Sequence, residues 1–256
     1  MSFVTLENFP IELTGTIFSH LYREDRERCR TICKVWEAFV TKFIAKLEFK
    51  QRLPSTIQVF DEEAWKSLVV DFGSYELEFN DLPPIDETAS KLALKKLLGV
   101  PQKEKGITWI ELPKGTTINK VIRIMQSQNI AMQFTWDIII AELGDIPVQN
   151  SYRFAITNSV YNKSWEYSSV AQRKFVEESG CVLPKVIEAL TLAMFAQLSS
   201  KKFFDNKNVF MYCVEHLNYF QLALSSFRNG ITLGVYDYVT EYEDYNVYGS
   251  GAVALT

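Results

Sequence analysis

The hydrophobic periodicity of this chain changes near Pro54. Before it, apolar residues follow a helical repeat, most clearly in one stripe with i, i+3, i+4 and i+7 spacing. That stripe consists of Trp36, Phe39, Val40, Phe43, Ile44 and Leu47. After Pro54, helical and strand-like segments alternate. We therefore predict an α+β chain, with a helical domain at residues 1–50 and a mixed helix and antiparallel-sheet domain at residues 55–256.

Three short helices account for the first domain. Pro10 suits the first turn of a helix because its φ is fixed, and apolar residues follow it at helical spacing as far as Leu21. A second helix is expected after Tyr22, and the third carries the apolar stripe. Three such helices enclose only a thin core, so we expect this domain to bury apolar residues on a partner.

The first part of the second domain contains helices and two clear strands. Asp61 and Asp86 are typical N-cap residues and predict one helix through Leu68 and another that ends at Gly99. The other predicted elements are a strand at Ile107–Leu112, a helix from Thr116 or Thr117 to Met125, a strand at Tyr152–Ile156, and helices at Val170–Glu178 and Lys185–Leu198. The segment Ile138–Leu143 fits a buried strand or a helix.

The end of the chain has the pattern of an antiparallel meander. Its predicted strands are Val209–Val214, Phe220–Phe227, Ile231–Tyr236 and a last one near Ala252–Leu255. Between the second and third, Asn229-Gly230 predicts a hairpin, because both residues tolerate the positive φ of a type I′ turn.

The charge balance argues against a nucleic-acid partner. With 27 Lys and Arg against 31 Asp and Glu, the formal net charge of the 256 residues is −4. Affinity for nucleic acid depends on Lys and Arg against phosphate, and the sequence has no basic tract. We therefore expect the chain to bind no nucleic acid.

The cysteines and the apolar segments predict a cytoplasmic protein. Four scattered cysteines, at positions 29, 33, 181 and 213, do not suggest a disulfide-stabilised secreted fold. The N-terminal residues lack the pattern of a signal peptide. The longest apolar stretch, Val186–Leu198, is shorter than the roughly 20 residues of a membrane span and includes Glu188.

Few residues suggest catalysis, so we expect no enzyme activity and no cofactor. The histidines are His20 and His216, and the latter could form a Cys/His dyad with Cys213 or Cys181. These two cysteines are also typical small core residues. The other two cysteines, four positions apart, lack the spacing of a zinc site. No residue is predicted to bind a metal.

A tyrosine-rich acidic tract near the C-terminus is a candidate target-binding surface. Its tyrosines are Tyr236, Tyr238, Tyr242, Tyr245 and Tyr248. Tyrosine is common at protein interfaces because it supplies a large contact area. The same tract also fits an edge strand and a loop whose charges prevent sheet pairing.

The N-terminal domain carries a set of residues at the spacing of a known module. The chain reads Phe9-Pro10-Ile11-Glu12-Leu13, then Ile17-Phe18-Ser19-His20-Leu21, then Asp25, and finally Ile32-Cys33-Lys34-Val35-Trp36. This series resembles an F-box, the adaptor-binding module of cullin-RING ubiquitin ligases. It differs from the family where Arg26 and Thr31 replace leucines, and Gly15 weakens the first helix.

The resemblance implies a substrate receptor that binds a Skp-type adaptor and, through it, a cullin-RING ligase. The adaptor-binding residues it implies are Phe9, Pro10, Leu13, Ile17, Phe18, Leu21, Ile32, Cys33 and Trp36. The remaining 200 residues would bind a protein target. They are similar to regions of F-box-like proteins from chlamydia-related bacteria, which implies an effector in the host cytosol. The alternative is a single scaffold, or an enzyme with the Cys/His dyad, in which the helices pack on their own C-terminal domain.

Overall fold

The chain forms two compact units, Met1–Pro54 and Ser55–Thr256. The computed structural model describes residues 45–69, 77, 79, 81–99, 106–135, 137–158, 169–199, 209–217, 220–227, 230–237, 247–250 and 253–255. In the first unit, residues 45–52 are helical, and Arg52 pairs with Glu48 one turn earlier at 3.0 Å. The predicted helices before residue 45, together with every F-box-like residue, lie outside the described residues.

The second unit is an α+β domain, as predicted. Its helices are α1 Glu62–Val69, α2 Glu87–Gly99, α3 Ile118–Ser127, α4 Ile138–Leu143, α5 Ser169–Glu178 and α6 Val186–Leu198. Its strands are β1 Ile57–Phe60, β2 Ile107–Leu112, β3 Ala131–Phe134, β4 Tyr152–Thr157, β5 Val209–Leu217, β6 Phe220–Phe227, β7 Gly230–Asp237, β8 Val247–Ser250 and β9 Val253–Leu255.

The first sheet has the strand order β1-β2-β4-β9. β1 runs parallel to β2, and the other two pairings are antiparallel. The prediction that the last strand joins the C-terminal meander is wrong, because Val253 pairs with Ile156 of β4. Val253 is fully buried there and also bridges to Val182. The burial of Val253 therefore decides which strand β9 pairs with, because β9 is too short for its sequence to indicate the partner.

The second sheet has the strand order β3-β7-β6-β5-β8. The antiparallel meander β5-β6-β7 is confirmed. The expectation of an antiparallel sheet is wrong at both edges, because β3 and β8 pair in parallel with their neighbours. The hairpin is displaced by one residue: Phe227 pairs with Gly230, which therefore belongs to β7 and not to the turn.

Helix α6 lies between the two sheets. It contacts β2 of the first sheet, β5 and β6 of the second, and α3. Its residues from Glu188 to Ala196 are all buried, which confirms the prediction of a helix that is apolar on nearly every side. At its C-terminal end, Phe195 stacks on Phe60 at 4.2 Å between ring centroids and meets Trp65 edge-on at 5.2 Å. Burial of this helix therefore joins the sheets into one core.

Side-chain caps begin three of the helices, as predicted. Asp61 Oδ1 accepts the backbone N–H groups of Glu63 and Ala64 at the start of α1. Asp86 Oδ1 likewise accepts two backbone N–H groups at the start of α2. Thr117 Oγ1 accepts the N–H of Lys120 in α3. Each cap satisfies a backbone donor that has no partner within its helix.

A buried ion pair connects β2 to β4. Arg153 Nε lies 3.1 Å from Glu111 Oε1, and both side chains are almost inaccessible to water. Glu111 Oε2 also accepts the N–H of Glu62, and Arg153 Nη1 donates to the carbonyl of Pro83. Each charge thus also has a backbone partner, which helps a buried pair to be tolerated.

None of the helices in the described ranges has the length and apolar character needed to cross a membrane.

Candidate functional site

A cavity of about 580 Å³ lies beside the N-terminal end of α6. Its apolar walls are formed by Ile118, Leu143, Ile146, Pro147, Val148 and Ile187. The polar residues that line it are Gln149, Asn150, Tyr152, Lys185 and Glu215. A volume in this range, with mostly apolar walls and a few polar groups, is typical of a small-molecule site.

The wall formed by residues 146–150 is held against the start of α3. Val148 donates its N–H to the carbonyl of Thr116 at 2.9 Å and accepts the N–H of Gly115 at 2.8 Å. Gly115 has a φ of +75°, which a residue with a side chain adopts only with strain. The turn before α3 therefore fixes the position of this wall.

Glu188 is buried and is hydrogen-bonded to two residues that line the cavity, Tyr152 and Lys185. Its Oε1 accepts the hydroxyl of Tyr152 at 2.8 Å, and its Oε2 accepts the N–H of Lys185 at 2.8 Å. Burial raises the pKa of the Glu188 carboxyl, against the lowering effect of these hydrogen bonds. Burial and the neighbouring Glu188 likewise raise the pKa of Tyr152. Both oxygens of Glu188 are thus engaged in structural hydrogen bonds.

Glu215 reaches the same helix end from β5. The pairing of β5 with β6 shifts register between Tyr212 and His216, which marks a bulge. In this irregular part, the N–H of Val214 donates to the carbonyl of Pro184 at 2.8 Å. Glu215 Oε2 then accepts the N–H of Val186 at 2.9 Å. The bulge therefore places a second carboxylate at the start of α6.

The surroundings of Glu215 raise the pKa of its carboxyl to about 7. The first cause is burial, and the charge of Glu188 acts in the same direction, while the N–H of Val186 and the charge of Lys185 oppose it. A carboxyl of this kind changes its protonation state close to neutral pH. Perturbed values of this size are common at functional sites.

Lys185 supplies the positive charge of the cavity. Its Nζ lies 5.4 Å from the ring centroid of Tyr152, within the range of a cation–π contact. Within the described part of the chain, Lys185 forms no ion pair with either carboxylate. The cavity thus presents one ammonium and one carboxyl group at separate points on an apolar wall.

The structure locates two of the five predicted target-binding tyrosines. The backbone of Tyr236 lies on β7 opposite Gln221, and that of Tyr248 lies on the edge strand β8 opposite Phe210. The strands β6 and β5 separate these two positions in the sheet. Tyr238, Tyr242 and Tyr245 lie outside the described residues, as do all nine predicted adaptor-binding residues.

The residues of the proposed Cys/His dyad have different environments. Cys181 and Cys213 are buried, whereas His216 is exposed and its Nε2 lies 3.0 Å from Arg173 Nη2. Burial, with smaller effects of Glu215 and Glu188, raises the pKa of the Cys213 thiol well above its ordinary value. Partial burial and Arg173 lower the pKa of His216. Both shifts oppose formation of a thiolate and imidazolium pair.

The sequence analysis did not predict the residues that line this cavity. The available signal was a glutamate, Glu188, in an otherwise apolar segment. Its partners Tyr152 and Glu215 lie 36 residues before and 27 residues after it, so sequence spacing gave no sign that they meet. Among the described residues, no group of three or more His, Cys, Asp and Glu could hold a metal ion.

No protein-family model, curated protein or solved structure matches this chain.

Proposed function

We propose that this chain is a substrate-receptor subunit of a Skp–cullin–F-box type ubiquitin ligase. The observation that carries the proposal is the series of F-box-like residues between Phe9 and Trp36, which occur in the family's order and at its spacing. Three short helices enclose only a thin core and need a further surface for their apolar residues, and a Skp-type adaptor provides one. The receptor brings a target to the ligase, and other subunits transfer the ubiquitin.

The division of the chain supports a modular receptor. The boundary between the two compact units falls at Pro54 and Ser55, C-terminal to the F-box-like residues between Phe9 and Trp36. The second unit has its own core, which includes the fully buried Trp65, Trp109 and Phe154. In the proposal this unit binds the target protein, with the tyrosines from Tyr236 to Tyr248 as the candidate contact residues.

The site of action follows from the same proposal. Skp adaptors and cullin ligases are eukaryotic cytosolic proteins, so the receptor acts in the cytoplasm. If the chain is an effector of a chlamydia-related bacterium, the compartment is the cytosol of the host cell.

Binding to a purified eukaryotic Skp adaptor tests the proposal. The full chain is titrated with the adaptor by isothermal titration calorimetry, and we expect a one-to-one complex at micromolar concentrations. Trp36→Ala and Pro10→Ala should each weaken the complex by about tenfold or more, because anchor residues dominate interface energetics. Glu215→Gln, in the second unit, is the matched control and should bind the adaptor as the wild type does.

Circular dichroism shows whether each variant is folded. A folded wild-type chain that binds no adaptor at micromolar concentrations would refute the proposal. Equal binding by the wild type and Trp36→Ala would refute the assignment of the contact residues.

A further inference from the structure

The walls of the cavity beside α6 continue into the hydrophobic core. Ile118 is buried and belongs to the core, whereas Leu143, Val148 and Ile187 are half-buried and pack against it. Ile146, which is 59% exposed, extends the apolar lining outward to solvent. A molecule in the cavity would therefore replace water against hydrocarbon on several sides.

The chain between Gly144 and Val148, which forms one wall, is fixed at both ends. Asn119 of α3 donates its backbone N–H to the carbonyl of Gly144 at 2.9 Å, and its Nδ2 donates to Asp145 Oδ1 at 2.8 Å. At the other end, the carbonyl of Val148 accepts the N–H of Gly115 at 2.8 Å. The wall is thus in place before a ligand arrives, which reduces the entropic cost of binding.

The charged groups of the cavity compensate one another. Among the described residues, its lining holds one carboxyl, that of Glu215, and one ammonium, that of Lys185. The Glu215 carboxyl interacts with two backbone N–H groups, those of Val186 and of Glu215 itself. The Lys185 charge opposes the rise in pKa that burial causes at both Glu215 and the neighbouring Glu188. A charged ligand of either sign would therefore meet no uncompensated charge of the opposite sign.

This balance favours an uncharged occupant. A charged group that enters apolar surroundings loses its hydration, and the loss is costly unless a counter-charge replaces the water. An uncharged molecule with a hydrocarbon body loses little hydration and gains free energy in proportion to the apolar surface it buries. The volume of about 580 Å³ suits one small molecule.

We propose that this cavity is a binding site for a small uncharged lipophilic molecule, whose hydrocarbon part lies against Ile118, Leu143 and Ile187. Apolar contact selects the ligand, and charged molecules of the same size bind less well because Glu215 and Lys185 balance each other. The site lies wholly on residues of the second unit. This function is therefore separate from adaptor binding and does not depend on it.

Three probes of one chain length test the preference for an uncharged ligand. Hexanol, hexylamine and hexanoate are titrated into the full chain at about pH 8, above the pKa of Glu215, and binding is followed by NMR chemical shifts and by calorimetry. We expect hexanol to bind about tenfold more tightly than either charged probe, because only the charged probes lose strong hydration. Butanol should bind more weakly than hexanol, by about fourfold for each missing methylene. Equal or tighter binding by either charged probe would overturn the proposal, as would no binding of hexanol.

Two charge variants test the compensation directly. Lys185→Met leaves Glu215 as the only charge of the described lining, so the ratio of hexylamine to hexanol affinity should rise by about threefold. Glu215→Gln leaves Lys185 and should raise the ratio of hexanoate to hexanol affinity by a similar factor. General damage to the fold would not produce these two opposite changes. If neither ratio changed, the two groups would not balance each other and the proposal would be wrong.

A variant that fills the cavity locates the bound probe. Ile187→Phe places a larger side chain in the lining and should remove detectable hexanol binding. Leu92→Phe is the matched control, because Leu92 is 53% exposed on α2 and does not line the cavity, and it should bind hexanol as the wild type does. Circular dichroism shows whether each variant is folded, and Val148→Phe serves as a second filling variant. Hexanol binding that both folded filling variants retain would contradict the assignment to this cavity.

A peptide arm separates a small-molecule site from a docking site for protein. A short peptide of uncharged apolar residues with blocked ends is titrated in the same way. Binding of the peptide at concentrations where hexanol does not bind would refute a small-molecule site. Neither result bears on adaptor binding, which is measured separately.

Discussion

Replacing Glu215 with glutamine should change how the stability of the second unit depends on pH. The surroundings of this carboxyl raise its pKa from 4.5 to about 7 in the folded chain. Between these values the folded state binds more protons than the unfolded state. The free energy of unfolding therefore decreases as pH rises through this window and levels off above it. A glutamine has no such titration and can still accept the N–H of Val186.

The size of the effect follows from the shift. One pKa unit corresponds to about 1.4 kcal/mol, so the full shift of Glu215 corresponds to about 3 kcal/mol. The side chain is only partly buried, and solvent screening reduces the contribution of such a group to about 2 kcal/mol. We expect the wild type to lose about this much stability relative to Glu215→Gln from about pH 5 to about pH 8.

Urea denaturation followed by circular dichroism measures the difference at each pH. Glu188 and His216 also have shifted pKa values but occur in both chains, so the comparison reports Glu215 together with its effect on the neighbouring Glu188. The exposed Glu177 gives a matched control, and Glu177→Gln should follow the wild type throughout. Parallel curves for the wild type and Glu215→Gln would refute the reasoning, because they would show that folding does not perturb this carboxyl.

Two further predictions concern groups that the fold buries. Arg153→Met removes the ion-pair partner of the buried Glu111 and should cost about 3–5 kcal/mol of unfolding free energy in urea denaturation. The double variant Glu111→Gln/Arg153→Met should recover part of this loss. A double variant that is no more stable than Arg153→Met would contradict the prediction. Cys213 should stay unmodified when the native chain is treated with iodoacetamide, because its thiol is buried and the pKa of that thiol is raised. Peptide mass spectrometry locates the modified cysteines. Rapid native-state modification of Cys213 would contradict its burial.

The sequence predicted elements whose signals are local. The cap residues Asp61, Asp86 and Thr117 each act within three residues of their own position, so their helices could be identified by inspection. The helical character of Ile138–Leu143 could not be decided, because a short apolar run fits both periodicities.

The strands that escaped prediction are short and depend on distant partners. β1 and β3 have four residues each and pair in parallel with strands far along the chain. A parallel pairing has no tight turn to indicate it. The three residues of β9 likewise do not specify whether they join β4 or the meander, and tertiary burial of Val253 decides. Local sequence patterns therefore predict whether a segment is a helix or a strand more readily than they predict the order of strands in a sheet.

The two carboxylates at the start of α6 have different roles that substitution can separate. A buried helix needs acceptors for its first N–H groups, and Glu188 and Glu215 provide them for Lys185 and Val186. Glu188 uses both oxygens within the fold, so Glu188→Gln should affect stability first. Glu215 accepts the N–H of Val186, lines the cavity and has a pKa raised to about 7. Glu215→Gln keeps an acceptor for Val186 and removes the titrating carboxyl, so it should act first on the pH dependence of stability.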